Sequence, residues 1–124
     1  MTDNWARLCR AKDLTVDGVN VDVRFGDERR HRVTIEDRNE EYLISAIVVR
    51  QALAAAIPEL PLWSWIRNRA TQLVGFRIDQ QGRLRAEAWV PKAGLTAEEF
   101  QLYVRKVAAE SDRFEYLLTG RDIE

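Results

Sequence analysis

The spacing of apolar and polar residues changes several times along the chain, and each change marks a predicted element. In residues 19–25 and again in residues 31–35, apolar and polar positions alternate. This two-residue period is typical of strands with one buried face. The run 42–49 is apolar on both faces, which indicates a central strand or one that a further element covers. A polar turn at 26–28 joins the first two strands.

The second half of the chain adds a hairpin and a helix. Residues 74–78 and 84–90 alternate around a turn at 80–82, which predicts two paired strands. Pro61 suits the first position of a helix that reaches about residue 72. We expect the apolar face of this helix to be core. That expected core face consists of Leu62, Trp65, Ile66 and Leu73.

The last predicted helix has its start and its end encoded in the sequence. Thr96 and Glu99 have the spacing of a capping box, and Leu95 and Phe100 can pack around it. Gly120 suits the left-handed residue that ends many helices. Apolar residues recur at helical spacing between these ends and predict one buried stripe. The stripe comprises Phe100, Tyr103, Val104, Val107, Ala108, Ser111, Phe114 and Leu118.

The chain also begins with a predicted helix, over residues 5–12, which Asp3 or Asn4 can cap. Residues 51–60 are left structurally open, because prolines at 58 and 61 interrupt an alanine-rich stretch. The element order is therefore α-β-β-β-α-β-β-α. We expect an α+β fold in which helices pack on an antiparallel sheet of five strands.

Composition limits the size and class of the protein. The 124 residues, 46% of them hydrophobic, predict a single domain over residues 1–124. The formal charge of -1 argues against a general electrostatic attraction to nucleic acid or anionic lipid. No apolar run approaches the ~18 residues of a membrane span. The first four residues lack the pattern of a signal peptide, and a single cysteine forms no internal disulfide, so we expect a cytoplasmic protein.

Residues suited to catalysis are scarce. The chain has one histidine, His31, and one cysteine, Cys9, and both fall on apolar faces of predicted elements. A hydrolytic nucleophile needs a base and an orienting partner nearby, and this pattern does not supply them. No histidine or cysteine cluster has metal-ligand spacing. We therefore expect a non-enzymatic protein with no metal and no cofactor.

Three features of the second half resemble a known family. They are Asn68 ahead of the strand that holds Phe76, the hairpin 79–84, and Gly94-Leu95-Thr96 leading to Ser111-Asp112-Arg113-Phe114. With these features, the chain from about Trp65 onward resembles the YbjN-domain family, which shares its fold with type III secretion chaperones. The first half agrees in element order only. The resemblance implies a small, often dimeric, non-enzymatic adaptor or regulator that binds another protein.

The resemblance also marks Asn68 and Asp112, which we expect to fix local backbone through side-chain hydrogen bonds. The residues themselves favour a protein-binding role, since several apolar side chains fall outside the predicted core. Aromatic side chains at such positions are common anchors of interfaces. The candidates for contact with a partner protein or with a second subunit of a homodimer are Trp63, Trp89, Leu102 and Tyr116.

The alternative hypothesis is a nucleic-acid-binding or transcription-associated regulator. It depends on a group of arginines in the first hairpin, because arginine side chains suit phosphate. These are Arg24, Arg29, Arg30 and Arg32. Asp22, Asp27 and Glu28 occur in the same hairpin and favour a simpler explanation, a solvated sheet face with cross-strand ion pairs. Nucleic acid is therefore the less favoured partner.

Overall fold

The computed structural model describes residues 4–26 and 29–120. Its sheet is antiparallel throughout, with the strand order β1-β2-β3-β4-β6-β5. In chain order the elements are a 3-10 helix (Asn4–Cys9), β1 (Leu14–Asp17), β2 (Asn20–Arg24), β3 (Arg30–Arg38), β4 (Glu41–Val49), α1 (Gln51–Ala55), α2 (Leu60–Ala70), β5 (Gly75–Ile78), β6 (Leu84–Pro91) and α3 (Ala97–Thr119).

The predicted α+β class with an antiparallel sheet is confirmed, but the number of strands is corrected from five to six. The additional strand is β1, which pairs with β2 through the register Leu14↔Val23 to Asp17↔Asn20. With four residues, it is too short for an alternating pattern to be distinguished from the loop around it.

The core lies between one face of the sheet and α3. The predicted stripe of α3 faces the sheet, and Phe100, Val104, Val107, Ala108, Ser111 and Phe114 are buried. The Phe100 ring packs 5.4 Å from that of Tyr42 and 6.2 Å from that of Trp5. Full burial of a large apolar side chain is worth roughly 1.5–3 kcal/mol. The stripe therefore supplies much of the energy that holds α3 on the sheet.

Both predicted ends of α3 are confirmed. The Thr96 hydroxyl accepts a hydrogen bond from the Glu99 backbone N–H, and the Glu99 carboxylate accepts one from the Thr96 N–H. Gly120 takes the left-handed conformation at φ 59°, and its N–H donates to the Tyr116 carbonyl. Local sequence therefore determines the limits of this helix.

The N-terminal element differs from its prediction. It is a 3-10 helix ending at Cys9 in place of an α-helix over residues 5–12, and the chain then turns into β1. Trp5 and Cys9 are buried as expected, and Leu8 packs against the core in a partly buried position. The Asp3 cap and the turn residues Asp27 and Glu28 lie outside the described residues.

Residues 51–60, left open by the sequence, contain α1 and the first residue of α2. The Leu60 side chain is completely buried. Pro61 occupies the start of α2, as predicted, and the helix ends at Ala70, two residues before its expected end.

The predicted core face of α2 is wrong. Leu62, Trp65 and Ile66 are 53%, 55% and 51% exposed, and Leu73, which lies beyond the helix, is 48% exposed. Leu60 and Ser64 are the buried residues of α2, which contacts the sheet chiefly through β5. Helical periodicity identified an apolar face correctly, but it does not show whether that face packs inside the domain or against another molecule.

Among residues 4–26 and 29–120, no helix combines the length and the apolar character that crossing a membrane requires.

Candidate protein-binding surface

Helix α2 presents most of its large apolar side chains to solvent. Leu62, Trp63, Trp65 and Ile66 are each between 42% and 55% exposed. At 100° per residue these four positions fall on one side of the helix, and the buried Leu60 and Ser64 fall on the other. Leu117 of α3, 56% exposed, extends the same apolar area. We call these five side chains the α2 surface: Leu62, Trp63, Trp65, Ile66 and Leu117.

Polar contacts on the inner side of α2 fix this orientation. The Asn68 amide donates to the Phe76 carbonyl at 3.0 Å, and its oxygen accepts from the Phe76 N–H at 2.6 Å. These two bonds attach the helix to β5. Arg67 pairs with Glu110 of α3 at 3.3 Å and lies over the Phe114 ring. The polar side chains of Arg67 and Asn68 therefore attach α2 to the domain, while four large apolar side chains of the helix point away from it.

A shallow groove of about 250 Å³ separates α2 from α3. Trp63 and Ile66 line one side, Leu117 lines the other, and Phe114 contributes from the core. The Arg69 guanidinium lies 5.0 Å from the centre of the Trp65 ring, a cation–π contact at the margin of the α2 surface. Tryptophan and arginine are the residue types most enriched at the energetic centres of protein interfaces.

Trp89 lies elsewhere, on the face of the sheet that α3 does not cover. Its side chain is 48% exposed. In the register of β4 and β6, Trp89 lies opposite Leu43 of β4, whose side chain is buried. The Arg38 guanidinium stacks 5.6 Å from the Trp89 ring centre. Trp89 is thus exposed but already in contact with a cation.

Ion pairs cover the sheet around Trp89. Arg77 pairs with Glu87 at 2.7 Å, and Arg85 pairs with Asp79 at 3.0 Å. Burial opposes ionisation of Asp79, but hydrogen bonds from the Arg83 backbone and from the Arg85 and Arg83 side chains outweigh it and lower the Asp79 pKa to about 2. This face is a charged and internally paired surface, in which the pair of Arg77 and Glu87 joins neighbouring strands.

Leu102 and Tyr116 lie on α3, fourteen residues apart, and are 52% and 48% exposed. At 1.5 Å per residue they are roughly 20 Å apart along the helix. Tyr116 lines a groove with Arg29, Asp112 and Glu115, which differs from the groove that Trp63 lines. The structure therefore leaves all four predicted partner contacts exposed but places only Trp63 in the α2 surface.

The arginines of the alternative hypothesis do not form an open basic patch. Arg32 binds Asp22 through two hydrogen bonds of 2.8 and 3.1 Å, and these bonds lower the Asp22 pKa. Arg24 donates to the Lys12 carbonyl, and Arg29 pairs with Asp112. Arg24, Arg30 and Arg32 share the sheet face opposite α3 through the β2–β3 register. Three of the four arginines thus already have partners within the domain.

His31, Ser111 and Asp112 come together across β3 and α3. The Ser111 Oγ lies 2.9 Å from His31 Nε2, and His31 Nδ1 lies 3.8 Å from Asp112 Oδ1. This order matches that of a serine nucleophile, a base and an orienting acid. Ser111, however, is completely buried within α3, and its hydroxyl also contacts the Ile47 carbonyl. A substrate has no access to this hydroxyl, so the arrangement serves packing between β3 and α3.

The two residues marked by the family pattern differ in their contacts. Asn68 bonds the backbone of Phe76, as described above. Asp112 instead contacts the side chains of Arg29 and His31.

Sequence reasoning missed most of the α2 surface. Helical spacing predicts Leu62, Trp65 and Ile66 in the core and gives no role to Leu117, yet all four side chains are exposed. One signal was present: the polar residues Arg67 and Asn68 directly follow the four large apolar residues of 62–66. Polar residues that make contacts inside a domain can reverse which face of a helix is buried.

No family model matches the chain, and no curated protein matches it in sequence. Solved structures do match its fold. A chain of the ExsC–ExsE complex is similar with a TM-score of 0.61 and 20% identity, covering 95% of this chain and 96% of that one. A chain of the heterodimeric ExoU–SpcU complex, from the type III secretion system of Pseudomonas aeruginosa, is similar with a TM-score of 0.61 and 14% identity, covering 94% and 97%.

YbjN from E. coli, a proposed transcription regulator, is also similar, with a TM-score of 0.55 and 17% identity over 89% of this chain and 81% of that one. The fold of YbjN and of type III secretion chaperones, expected from the sequence, is therefore confirmed. At these identities, the similarity describes the fold alone.

Proposed function

We propose that this protein is a non-enzymatic, chaperone-like adaptor that forms a homodimer through the α2 surface and binds another protein. The observation that carries the proposal is the orientation of α2, which leaves four large apolar side chains in solvent while Arg67 and Asn68 bond to the rest of the domain. Two tryptophans, a leucine and an isoleucine on one helix face are a costly exposure for a monomer. A second copy of the same surface removes this exposure symmetrically.

The structural neighbours support the protein-binding part of the proposal. The ExsC–ExsE and ExoU–SpcU structures are complexes of two different proteins. Fold similarity at 20% and 14% identity does not transfer a partner, but it supports the proposal, because both similar chains were found in complexes with another protein. Trp89, Leu102 and Tyr116 lie outside the α2 surface and remain predicted contacts for a protein client.

Sedimentation velocity over a range of protein concentrations tests the homodimer. We expect the wild-type protein to sediment as a dimer, and Ile66→Asp to weaken association by about thirtyfold or more, because the substitution places a charge in the interface. Leu102→Asp is the matched control, since Leu102 is an equally exposed leucine on the other long helix, at 52% against 51% for Ile66.

A wild-type protein that stays monomeric at the highest concentration contradicts the dimer. Equal weakening by both substitutions would instead place the interface elsewhere. Protein binding is tested separately by affinity capture from the native host with wild-type, Ile66→Asp and Trp89→Ala proteins. A partner that all three retain equally lies outside both surfaces, and capture of no partner by the wild type contradicts the adaptor role.

A further inference from the structure

A cluster of metal-ligand side chains lies between β3 and α3, separate from the α2 surface. His31 is near the start of β3, and Asp112 and Glu115 are three residues apart on α3. One ligand atom from each residue lies within 4.8 Å of the others. Residues three apart in a helix share a face, so α3 holds both carboxylates toward the imidazole.

The contacts of His31 determine which ring nitrogen faces the carboxylates. Its Nε2 lies 2.9 Å from the Ser111 Oγ and 3.3 Å from the Ile47 carbonyl oxygen. A carbonyl only accepts hydrogen bonds, so a bond to Ile47 requires the proton of a neutral imidazole on Nε2. The lone pair then lies on Nδ1, 3.8 Å from Asp112 Oδ1. Such an outer hydrogen bond is what orients metal-binding histidines in proteins.

Three acceptors thus face one small space, and a cation would stabilise them. The Arg29 guanidinium supplies part of the positive charge that the acceptors need. It pairs with Oδ2 of Asp112, whereas Oδ1 of the same carboxylate faces His31. The Arg29 side chain is 62% exposed, and the side chains of His31 and Asp112 are only 12% and 23% exposed. Glu115 has no hydrogen bond or ion pair within the part of the chain that the structure describes. Arg29 can therefore keep Oδ2 while Oδ1 and Glu115 bind a cation.

We propose that His31, Asp112 and Glu115 bind a divalent transition-metal ion of the Zn²⁺ type. One imidazole and two carboxylates form a ligand set that zinc accepts, with bonds of about 2 Å and ligand atoms roughly 3.3 Å apart in a tetrahedron. Binding would require the two carboxylate side chains to rotate until the ligand atoms reach this spacing. The neighbouring groove, which Tyr116 and Thr119 also line, gives access and room for a water molecule as a fourth ligand. The ion would connect β3 to α3.

The single histidine of the chain makes the test specific. Nitrogen NMR of the untagged, ¹⁵N-labelled protein reports both imidazole nitrogens without ambiguity. Titration with Zn²⁺ should shift the Nδ1 signal to the metal-bound range and leave the proton on Nε2, whereas Mg²⁺ at the same concentration should change neither, because imidazole suits zinc and not this hard cation. Cys9 does not compete, since burial raises the pKa of its thiol to about 11.

Calorimetry with variants then assigns the ligands. Glu115→Gln and Asp112→Asn should each weaken Zn²⁺ binding by about tenfold or more, and Glu98→Gln, at the other end of α3, should not change it. Zn²⁺ should raise the melting temperature of the wild type and not that of Glu115→Gln. An Nδ1 signal unchanged at millimolar Zn²⁺, or equal affinities of wild type and Glu115→Gln, would overturn the proposal.

Discussion

The two long helices of this protein use their apolar residues in opposite ways. Helix α3 turns its stripe onto the sheet, where Phe100, Val104 and Val107 are completely buried. Helix α2 buries Leu60 and Ser64 and leaves Trp63, Trp65 and Ile66 in solvent. The difference indicates that packing within the domain determines the position of α3, whereas α2, in the function that we propose, forms a surface that a second polypeptide covers.

The inner faces explain the contrast. Ser111 is the only polar residue on the buried stripe of α3 within the described chain, and it bonds His31. The inner side of α2 carries Arg67, which pairs with Glu110, and Asn68, which bonds the Phe76 backbone. Polar contacts give α2 a defined orientation but bury little apolar area. Its stability as part of a single subunit should therefore depend on few interactions.

The largest expected effect is on the free energy of unfolding, which a substitution in α3 should lower far more than one in α2. Phe100→Ala should reduce the free energy of unfolding by about 3–5 kcal/mol, because it leaves a cavity under α3. Trp65→Ala should change it by less than about 0.5 kcal/mol in the monomer, since Trp65 is 55% exposed. Urea unfolding at concentrations below dimer formation measures both values. Similar losses for the two variants would contradict the distinction between an inward and an outward helix.

A smaller effect concerns the attachment of α2 to the sheet. Asn68→Ala removes both hydrogen bonds to Phe76 and should cost roughly 1–3 kcal/mol. Hydrogen exchange should show faster exchange at the Phe76 amide, which donates to Asn68 in the wild type. Gln72→Ala, an exposed position just beyond the helix, is the control and should stay within about 0.5 kcal/mol. Unchanged exchange at Phe76 would show that other contacts hold α2.

The smallest effect concerns the β5–β6 hairpin that supports α2. Because the folded-state pKa of Asp79 is about 2, below the ordinary value of 3.8 for an aspartate side chain, its ionised form contributes stability above pH 4. This contribution should be lost as the pH falls from about 4 to 2, and solvent screening reduces it to about 1 kcal/mol. Asp79→Asn should remove this part of the acid dependence in urea unfolding curves. An identical acid dependence in both proteins would contradict the role of Asp79.

The parts of the fold that sequence predicted well are those whose signals are local. The capping box at Thr96 and the alternation in β2, β3 and β6 depend only on neighbouring residues. The structure contains this cap and these strands at the predicted positions. The strand β1 was missed because four residues hold too little pattern. Leu62, Trp65 and Ile66 of the α2 surface were expected in the core because periodicity shows which side of a helix is apolar but not what that side packs against.

The candidate metal cluster could not be predicted from local sequence signals either, because its residues are far apart along the chain. His31 and Asp112 are far apart in sequence, and no spacing rule connects them. Only the packing of α3 over β3, fixed by the contact between Ser111 and His31, brings them together. Trp63 was expected at the edge of the buried face of its helix and Trp89 on the outward side of its strand, and both are half-exposed.

Fluorine NMR of the protein labelled with 5-fluorotryptophan tests the central claim most directly, because the four tryptophans include their own controls. Trp5 is buried, Trp63 and Trp65 belong to the α2 surface, and Trp89 lies on the other face of the sheet. A soluble paramagnetic agent reports the solvent accessibility of each resonance. As protein concentration rises, Trp63 and Trp65 should become protected while Trp89 stays accessible and Trp5 stays protected. Protection of Trp89 alone, or no change at Trp63 and Trp65, would contradict the assignment of the α2 surface as the dimer interface.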